Sequence, residues 1–405
     1  GAYYISQLTN RIASAAHAES HARIVVQKYI LREMIRISGK VIQNAYDETT
    51  DVFNLLDEAE SELFKVTEGN IRKDYESMAS LLFKAQSEIE IAMQKEDGIN
   101  GVGSGFKELD KITSGWQKSD MVVIAARPGM GKTAFVLSMA RNVAVDYKHP
   151  VAIFSLEMSS IQLVNRLISG EAEIPAEDIR RGNFSKSEFE QFFERTKSLS
   201  EAPIFIDDTP ALSIFELRAK SRRLKQQHNV QLIIIDYLQL MSSGGKGGNR
   251  EQEISNISRS IKEIAKELEI PIIALSQLSR SVETRGGDKR PMLSDLRDSG
   301  AIEQDADIVG FIYRPEYYQL TEWPDGSPCN NQGEIIIAKH RNGSLKDVRL
   351  KFIGKYAKFS DLDGLTQNDF MYNAGMKPNN DFGDDVSSFT MPSKMNDDSS
   401  NEDPF

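Results

Sequence analysis

The sequence is poor in the residues that build disulfides, zinc sites and membrane spans. Cys329 is the only cysteine among 405 residues, which excludes an internal disulfide and a cysteine-based zinc site. Five scattered histidines do not supply a metal site instead. No apolar run approaches the roughly 20 residues that cross a bilayer, and the first residues lack the pattern of a signal peptide. We therefore expect a globular protein of the reducing cytoplasm with no membrane partner.

The length and charge leave room for a large protein that binds nucleic acid. A chain of 405 residues with 40% hydrophobic and 27% charged residues is typical of two or three globular domains. The net charge of −11 is unevenly distributed, because residues 366–405 hold eight acids and only two lysines. The rest is nearly balanced, and a local basic channel is enough to bind DNA. The net charge of the whole chain therefore does not exclude a protein that binds nucleic acid.

The chain is organised around the stretch from Ala126 to Thr133. An apolar run predicts a buried strand at 121–126, and a helical pattern follows Gly131 to about residue 147. This context predicts a P-loop, in which backbone N–H groups cradle phosphates, the lysine reaches the β/γ-phosphates and the threonine holds Mg²⁺. Ala126 replaces the usual first glycine, and alanine fits a strand end without a positive φ. The residues predicted to bind ATP are Arg127, Pro128, Gly129, Met130, Gly131, Lys132, Thr133 and Ala134.

Three further strand ends carry polar residues that suit nucleotide chemistry. Asp236 ends an apolar strand and is predicted to hold Mg²⁺ rather than only to cap the strand. Glu157 follows the strand at 151–155; it is either the carboxylate that activates the attacking water or an acid at a helix N-terminus, and the residues alone do not separate these. Gln277 ends a third strand, as a γ-phosphate sensor or as simple strand-end polarity.

Two loops and a hairpin tip carry cations. The loop 242–250 contains Lys246 and Arg250, and the loop 280–297 is rich in arginine, so both are candidates for following a nucleic-acid backbone without reading bases. A solvated loop is the alternative. Lys339 and Arg341 lie at a predicted hairpin tip, where a cation can cross a subunit boundary as an arginine finger; solvated surface cations are the alternative.

Strands alternate with helices from residue 106 onward, which predicts an α/β domain with a largely parallel sheet covered on both faces. The predicted strands are 121–126, 151–155, 203–207, 232–236, 272–276, 308–313 and 334–338, and the last pairs with 348–353 in a hairpin. Residues 366–405 lose apolar periodicity, and we expect them to be disordered.

The segment before the α/β domain reads as helical. Apolar spacing predicts helices at 21–45 and 51–64, together an α-hairpin. Residues 71–92 carry an apolar stripe that favours an amphipathic helix on a neighbouring surface over a coiled coil, and the glycine-rich stretch 98–105 predicts a joint. The predicted organisation is a helical N-terminal remnant at 1–68, a linker at 69–105, an ATPase domain at 106–365 and an acidic tail at 366–405. Because residue 1 is Gly and opens mid-pattern, we expect a truncated or processed product.

Taken together, these motifs resemble those of bacterial replicative DNA helicases of the DnaB type, whose motor has a RecA-like fold. The resemblance extends through about residue 362. It rests on several phrases in order: ARPGMGKT at 126–133, FSLEM at 154–158, IDYLQL at 235–240, LSQLSR at 275–280, DLRDSG at 295–300, IEQDAD at 302–307 and KHRNG at 339–343.

The resemblance implies a homohexameric ring that encircles one strand at the replication fork and moves 5′ to 3′ with ATP and Mg²⁺ at each subunit interface. It implies that Glu157 is the catalytic base, that Gln277 is the sensor, and that Arg341, with Lys339 beside it, serves the adjacent site. Arg297, Asp298 and Gly300 match the loop that holds the DNA backbone in such helicases. The helix at 71–92 matches the linker that docks on the next subunit. Primase and a helicase loader are the implied partners, although most of the family's N-terminal head is missing.

Other functions remain as alternatives. A recombination or repair ATPase of the same fold, forming a filament on single-stranded DNA, is the nearest one, and unwinding of a fork would separate the two. An ATP-binding assembly module without a DNA substrate is a second, against which Glu157, Gln277 and Arg341 together argue. The tail ends Asn-Glu-Asp-Pro-Phe at Phe405, similar to the acidic tip of single-stranded DNA-binding proteins, so competition for the partners of that tip is a further hypothesis.

Overall fold

The computed structural model describes residues 18–47, 55, 58–59, 62–63, 66, 77–95, 98–241 and 250–362. Of residues 18–20, 88, 188, 191 and 297–299 it describes the backbone alone. The loop cation Lys246, most of the predicted helix 51–64, the start of the stripe at 71–76 and the acidic tail lie outside these ranges. Of the helices within them, none is long and apolar enough to cross a membrane.

Nine strands and eleven α-helices lie within the described ranges. The strands are β1 Met121–Ala126, β2 Val151–Ser155, β3 Ile204–Asp207, β4 Leu232–Asp236, β5 Ile272–Gln277, β6 Ile308–Tyr313, β7 Gln332–His340, β8 Asp347–Ile353 and β9 Lys358–Ser360. The helices are α1 Ala18–Ala45, α2 Met78–Met93, α3 Lys107–Thr113, α4 Lys132–Arg141, α5 Ser160–Ala172, α6 Ala176–Arg181, α7 Lys186–Ser200, α8 Ile214–His228, α9 Arg250–Leu268, α10 Ser281–Thr284 and α11 Gly300–Asp305. A π-helical turn, Asn142–Asp146, extends α4.

The strands form one sheet in the order β3-β2-β4-β5-β1-β6-β7-β8-β9. The pairs from β3 to β6 are parallel, and β7, β8 and β9 continue the sheet antiparallel. This confirms the predicted α/β fold with its parallel centre and terminal hairpin. The sequence missed β9, which is only three residues long.

Both faces of the sheet are buried at its centre, where every residue of β1, β2, β4 and β6 is buried although neighbouring residues of a strand point to opposite sides. Val122 and Ile124 of β1 pack into a cluster with α4 and α5, while Val123 and Ala125 pack into a second cluster with α8 and α9. In α9 the buried positions are spaced by three and four residues, which is the pattern of an amphipathic helix; they are Ile254, Ile257, Ile261 and Ile264. The carboxyl ends of β1, β2, β4 and β5 therefore meet at one edge of the sheet.

The end of the glycine-rich stretch 98–105 is packed against the ATPase unit. Val102 forms a β-bridge with Trp116, and Ser104 is fully buried. Gly105 has φ +79°, and a Cβ there would lie 2.4 Å from the Cβ of Asn142. At this position the left-handed backbone and the close contact with Asn142 both require glycine.

Gly105→Ala tests this packing against a matched glycine. Gly182 has φ +65° and nothing within 4 Å of a built Cβ, so Gly182→Ala loses only the cost of the left-handed backbone, about 1 kcal/mol. Gly105→Ala adds overlap with Asn142, so we expect a loss of unfolding free energy larger by roughly 1–3 kcal/mol. Urea unfolding of both variants measures the difference, and equal losses would show that residue 105 is not tightly packed.

Candidate nucleotide site and inter-subunit residues

The predicted P-loop joins β1 to α4 at the carboxyl edge of the sheet. Gly129 and Gly131 have φ of 79° and 99°, a left-handed conformation that a side chain disfavours. Met130 is buried and anchors the loop, while the N-terminus of α4 begins at Lys132. The loop therefore presents backbone N–H groups and the positive end of a helix to one point, which is the arrangement that binds phosphate.

Lys132 and Asp236 face each other across the site. The Lys132 ammonium donates to the carbonyl of Ser276 at 3.2 Å and lies 5.1 Å from the ring centre of Tyr237. Burial lowers the pKa of Lys132, and the carboxylates of Asp236 and Glu157 oppose that shift. A partly dehydrated cation between carboxylates is well suited to receive further negative charge from phosphate.

Thr133 and Asp236 form the candidate magnesium pair. The Thr133 hydroxyl donates to Asp236 Oδ2 at 2.9 Å, and burial raises the pKa of Asp236. The second oxygen, Oδ1, is buried and finds no hydrogen-bond partner among the residues that the structure describes. An orphaned carboxylate oxygen beside a threonine hydroxyl fits Mg²⁺, which prefers oxygen ligands and retains several waters.

Glu157 and Gln277 lie at the same edge. The backbone N–H of Leu156 donates to the carbonyl of Asp236 at 2.7 Å. This bond holds the chain beside the candidate magnesium pair one residue before Glu157. Glu157 itself is exposed. Gln277 ends β5 with its side chain exposed, and its backbone N–H donates to Gln239 Oε1 at 3.4 Å.

Sequence reasoning missed Gln239, which connects these groups. Its side-chain Nε2 donates to the buried Ser276 hydroxyl at 2.8 Å, and its backbone carbonyl accepts from the Arg250 guanidinium. The Ser276 backbone carbonyl also accepts from Lys132. A chain of hydrogen bonds through Ser276 and Gln239 therefore joins the P-loop lysine to Arg250, a candidate DNA-binding residue. Gln239 was already part of the IDYLQL phrase, but nothing in its spacing showed that it turns toward β5.

Arg127, predicted to bind nucleotide, has its guanidinium directed toward the segment after β5. Its guanidinium donates to the carbonyl of Leu278 at 2.8 Å and pairs with Glu283 at 2.9 Å, and its side chain is 7% exposed. It therefore fastens the start of the P-loop to the segment after β5. Arg314, which sequence reasoning missed, stacks on Phe352 and donates to the Gly129 carbonyl at 3.4 Å.

A cleft of about 530 Å³ lies at this edge, next to the P-loop. Its lining includes Arg127, Gln239, Arg250, Gln277 and Arg280. Arg250 begins α9 and also pairs with Glu253. The backbone at Arg297 and Asp298 forms a 3₁₀ segment that ends where Gly300 begins α11. The structure thus brings Arg250 to the nucleotide edge, while the side chains of Arg297 and Asp298 are outside its description.

Lys339 and Arg341 lie at the end of the sheet where β1 begins, opposite to the end that carries the P-loop. In the strand register Ile308 of β6 pairs with Val122 of β1 and with His340 of β7, so Arg341 follows at the level where β1 begins. The Lys339 ammonium donates to the carbonyls of Glu303 and Gln304, and Arg341 Nη2 donates to the Gln304 carbonyl at 2.7 Å. The six residues of β1 separate this level from the P-loop by roughly 20 Å.

Fold and site together define a P-loop ATPase with a RecA-like motor domain. Residues 101–361 match the family model described as the DnaB-like helicase C-terminal domain. The chain is 46% identical over 364 residues to the replicative DNA helicase DnaB of Geobacillus stearothermophilus and 44% identical to the replicative DNA helicase DnaC of Bacillus subtilis (strain 168), covering 90% of this chain and 79% of each relative. The chain belongs to the DnaB family of replicative DNA helicases.

Two solved structures agree. One, described as a DnaB-like replicative helicase and its interactions with primase, superposes with a TM-score of 0.71 at 37% identity, covering 90% of this chain and 83% of that chain. The other, described as an ATPase domain, gives a TM-score of 0.66 at 41% identity, covering 72% of this chain and 100% of that chain. The resemblance read from the motifs is confirmed.

Asp120 provides a test of the electrostatics near Arg341. Burial and the Asp307 carboxylate raise the pKa of Asp120 to about 6, against Lys262 and Arg341. A folded-state pKa above the unfolded value means that ionisation lowers stability, an effect that is absent below about pH 4 and complete above about pH 6. A shift of this size corresponds to at most about 3 kcal/mol, and partial exposure reduces it to roughly 1 kcal/mol.

We therefore expect Asp120→Asn to stabilise the protein at pH 7.5 by roughly 1 kcal/mol and to be nearly neutral at about pH 4.5. Urea unfolding at both pH values measures this. Asp325 is the control of opposite sign, since hydrogen bonds from Ser327 and Arg349 lower its pKa to about 2, and Asp325→Asn should lose stability at both pH values because both lie above its unfolded pKa. Equal stabilisation by Asp120→Asn at both pH values would show that packing, not charge, is responsible.

Proposed function

We propose that the chain uses ATP and Mg²⁺ to move 5′ to 3′ along single-stranded DNA as a homohexameric ring that unwinds the replication fork. The observation that carries this is the position of Arg341. Its side chain is 46% exposed and lies at the sheet edge opposite to its own P-loop, so the ATP site that it serves belongs to another subunit. A closed ring supplies every site with such a neighbour.

Within each site we assign the roles by geometry. Lys132, Thr133 and the backbone of residues 128–134 hold the phosphates, and Thr133 with Asp236 holds Mg²⁺, which when bound neutralises phosphate charge. Glu157 orients and deprotonates the attacking water, and Gln277 senses the γ-phosphate. Arg341, with Lys339 beside it, stabilises the charge that develops on the neighbour's phosphate.

DNA would follow the basic lining next to this site. Arg250 lies in the cleft beside Gln277, and Lys246, Arg297, Asp298 and Gly300 are assigned to the same backbone contact. The path from Lys132 through Ser276 and Gln239 to Arg250 offers a route by which phosphate occupancy alters the DNA contact.

The predicted domains fit this assembly. The organisation proposed for this assembly is a helical N-terminal segment at 1–68, a linker at 69–105, the motor at 106–365 and a tail at 366–405. The linker helix α2 leaves Leu82, Phe83 and Ile89 exposed, and α7 leaves Phe189 and Phe193 exposed, so docking of α2 on the next subunit would cover apolar surface on both. Primase and a helicase loader are the proposed partners at the replisome in the cytoplasm.

Fork unwinding tests the polarity. We expect ATP-dependent unwinding of a fork that has only a 5′ single-stranded tail and none with only a 3′ tail, because the ring would encircle the strand on which it moves 5′ to 3′. Lys132→Ala is the control and should abolish hydrolysis and unwinding. Strong DNA-stimulated hydrolysis without unwinding of either fork would instead favour a filament-forming ATPase.

Complementation tests the shared sites. Arg341→Ala alone should lower ATP turnover by a factor of about 10³ or more, the usual contribution of an arginine finger. Glu157→Ala alone should also be inactive. In mixed rings, some interfaces combine the intact catalytic half of an Arg341→Ala subunit with the intact finger of a Glu157→Ala subunit, so turnover should reappear. If no mixing ratio restores hydrolysis, the sites are not shared.

A further inference from the structure

Asp307 lies between α11 and β6 at the edge that carries Arg341. Its carboxylate is nearly fully buried, with 7% of the side chain exposed. Oδ2 accepts from the backbone N–H of Met121, the first residue of β1, at 2.8 Å. Oδ1 lies 3.2 Å from Arg341 Nη1, and the Lys262 ammonium also contacts Oδ2. One buried carboxylate therefore joins β1, α9 and the candidate finger.

The remaining contacts of Arg341 depend on the same junction. Its backbone N–H donates to the Asp307 carbonyl at 2.9 Å, and Nη2 donates to the carbonyl of Gln304. Only the Asp307 carboxylate supplies negative charge within salt-bridge distance of the guanidinium among the residues that the structure describes. The carboxylate thus helps to fix the direction of a side chain that is 46% exposed.

Lys262 makes the position of Arg341 depend on the charge of the Asp307 carboxylate. Its ammonium also donates to the Ser119 carbonyl at 2.8 Å, so it stays beside Asp307 whatever Arg341 does. Without the Asp307 charge, the ammonium and the guanidinium would lie close together without the carboxylate that they share, and would repel each other. Such repulsion displaces the more mobile and exposed partner, Arg341.

We propose that Asp307 is the positioning residue for Arg341 and that its bond to Met121 ties the finger to the strand that carries the subunit's own P-loop. This rests on the proposed function, in which Arg341 serves the neighbouring site. A small displacement of a group that acts only in the transition state costs rate rather than substrate binding. A shift of β1 at one ATP site then moves the finger that serves the next.

Asp307→Asn keeps the size of the side chain and removes its charge. We expect kcat for ATP to fall about tenfold or more, with KM changed less than about threefold, because the finger acts on the transition state. Addition of Glu157→Ala subunits, inactive alone but with an intact Asp307 and Arg341, should restore turnover as it does for Arg341→Ala. A structural defect within the subunit would not be restored from outside.

Glu171→Gln is the matched control. Glu171 is a mostly buried carboxylate that pairs with Arg141 at 2.6 Å, remote from the finger, and its loss should leave kcat and KM near the wild-type values. Asp307→Glu is the second variant in case Asp307→Asn does not fold. It keeps the charge but displaces it by one methylene, so we expect a smaller fall in kcat with the same restoration.

The outcomes separate this inference from the proposed function. Two outcomes overturn the role of Asp307 alone. One is full turnover of Asp307→Asn. The other is a loss of turnover in both Asp307 variants that Glu157→Ala subunits do not restore, although they do restore Arg341→Ala. Failure to restore Arg341→Ala itself overturns the shared site and, with it, the role of Asp307. Restoration of both Asp307→Asn and Arg341→Ala establishes the positioning role.

Discussion

The burial of β1 between β5 and β6 is the constraint on which the rest of the structure depends. All six of its residues are buried, and both neighbours run parallel to it. A strand held on two edges and two faces has little freedom to bend, so it acts as a rigid element between its two ends. One end leads into the P-loop, and the other donates its first N–H to Asp307. Both sets of functional residues therefore take their positions from the same six residues.

The nucleotide site is built from groups that burial disfavours. Burial raises the pKa of Asp236 and lowers that of Lys132, and each group partly offsets the cost of the other. The orphaned Oδ1 of Asp236 leaves this compensation incomplete. Under the proposed function, phosphate and Mg²⁺ would bring the charges that complete it, since the cation would meet the carboxylate and the anion the lysine. Part of the affinity for these two ligands would therefore come from buried polar groups whose interactions are incomplete before the ligands bind.

The sequence predicted those parts of the fold whose signal is local. The strands at 121–126, 151–155, 232–236 and 308–313 were predicted with their observed limits, because continuous apolar runs mark strands buried on both faces. The P-loop was predicted from its residues together with the strand and the helix on either side of them. β9 was missed because three residues carry no periodicity, and its position depends on Phe359 packing against Phe352 and Phe135.

The site was less predictable, because side-chain direction depends on tertiary contacts. Arg127 stands within the P-loop phrase but turns toward Glu283, which is 156 residues later in the chain. Gln239 and Asp307 lay inside quoted phrases without a role, since their partners Ser276, Met121 and Lys262 are distant in sequence. Periodicity and motif spacing identify which residues share an edge of a sheet, whereas hydrogen bonds across strands determine what each one does.

The separation of the P-loop and the finger on opposite edges has a mechanical consequence. In a subunit whose two half-sites lay at one edge, each site would work alone and leave neighbouring subunits uncoupled. If Asp307 has the proposed role, a displacement of β1 along its axis would move the P-loop at one end and the Asp307–Arg341 pair at the other by the same amount. Under the proposed function those ends serve different ATP sites, so the packing of this one buried strand would couple neighbouring sites.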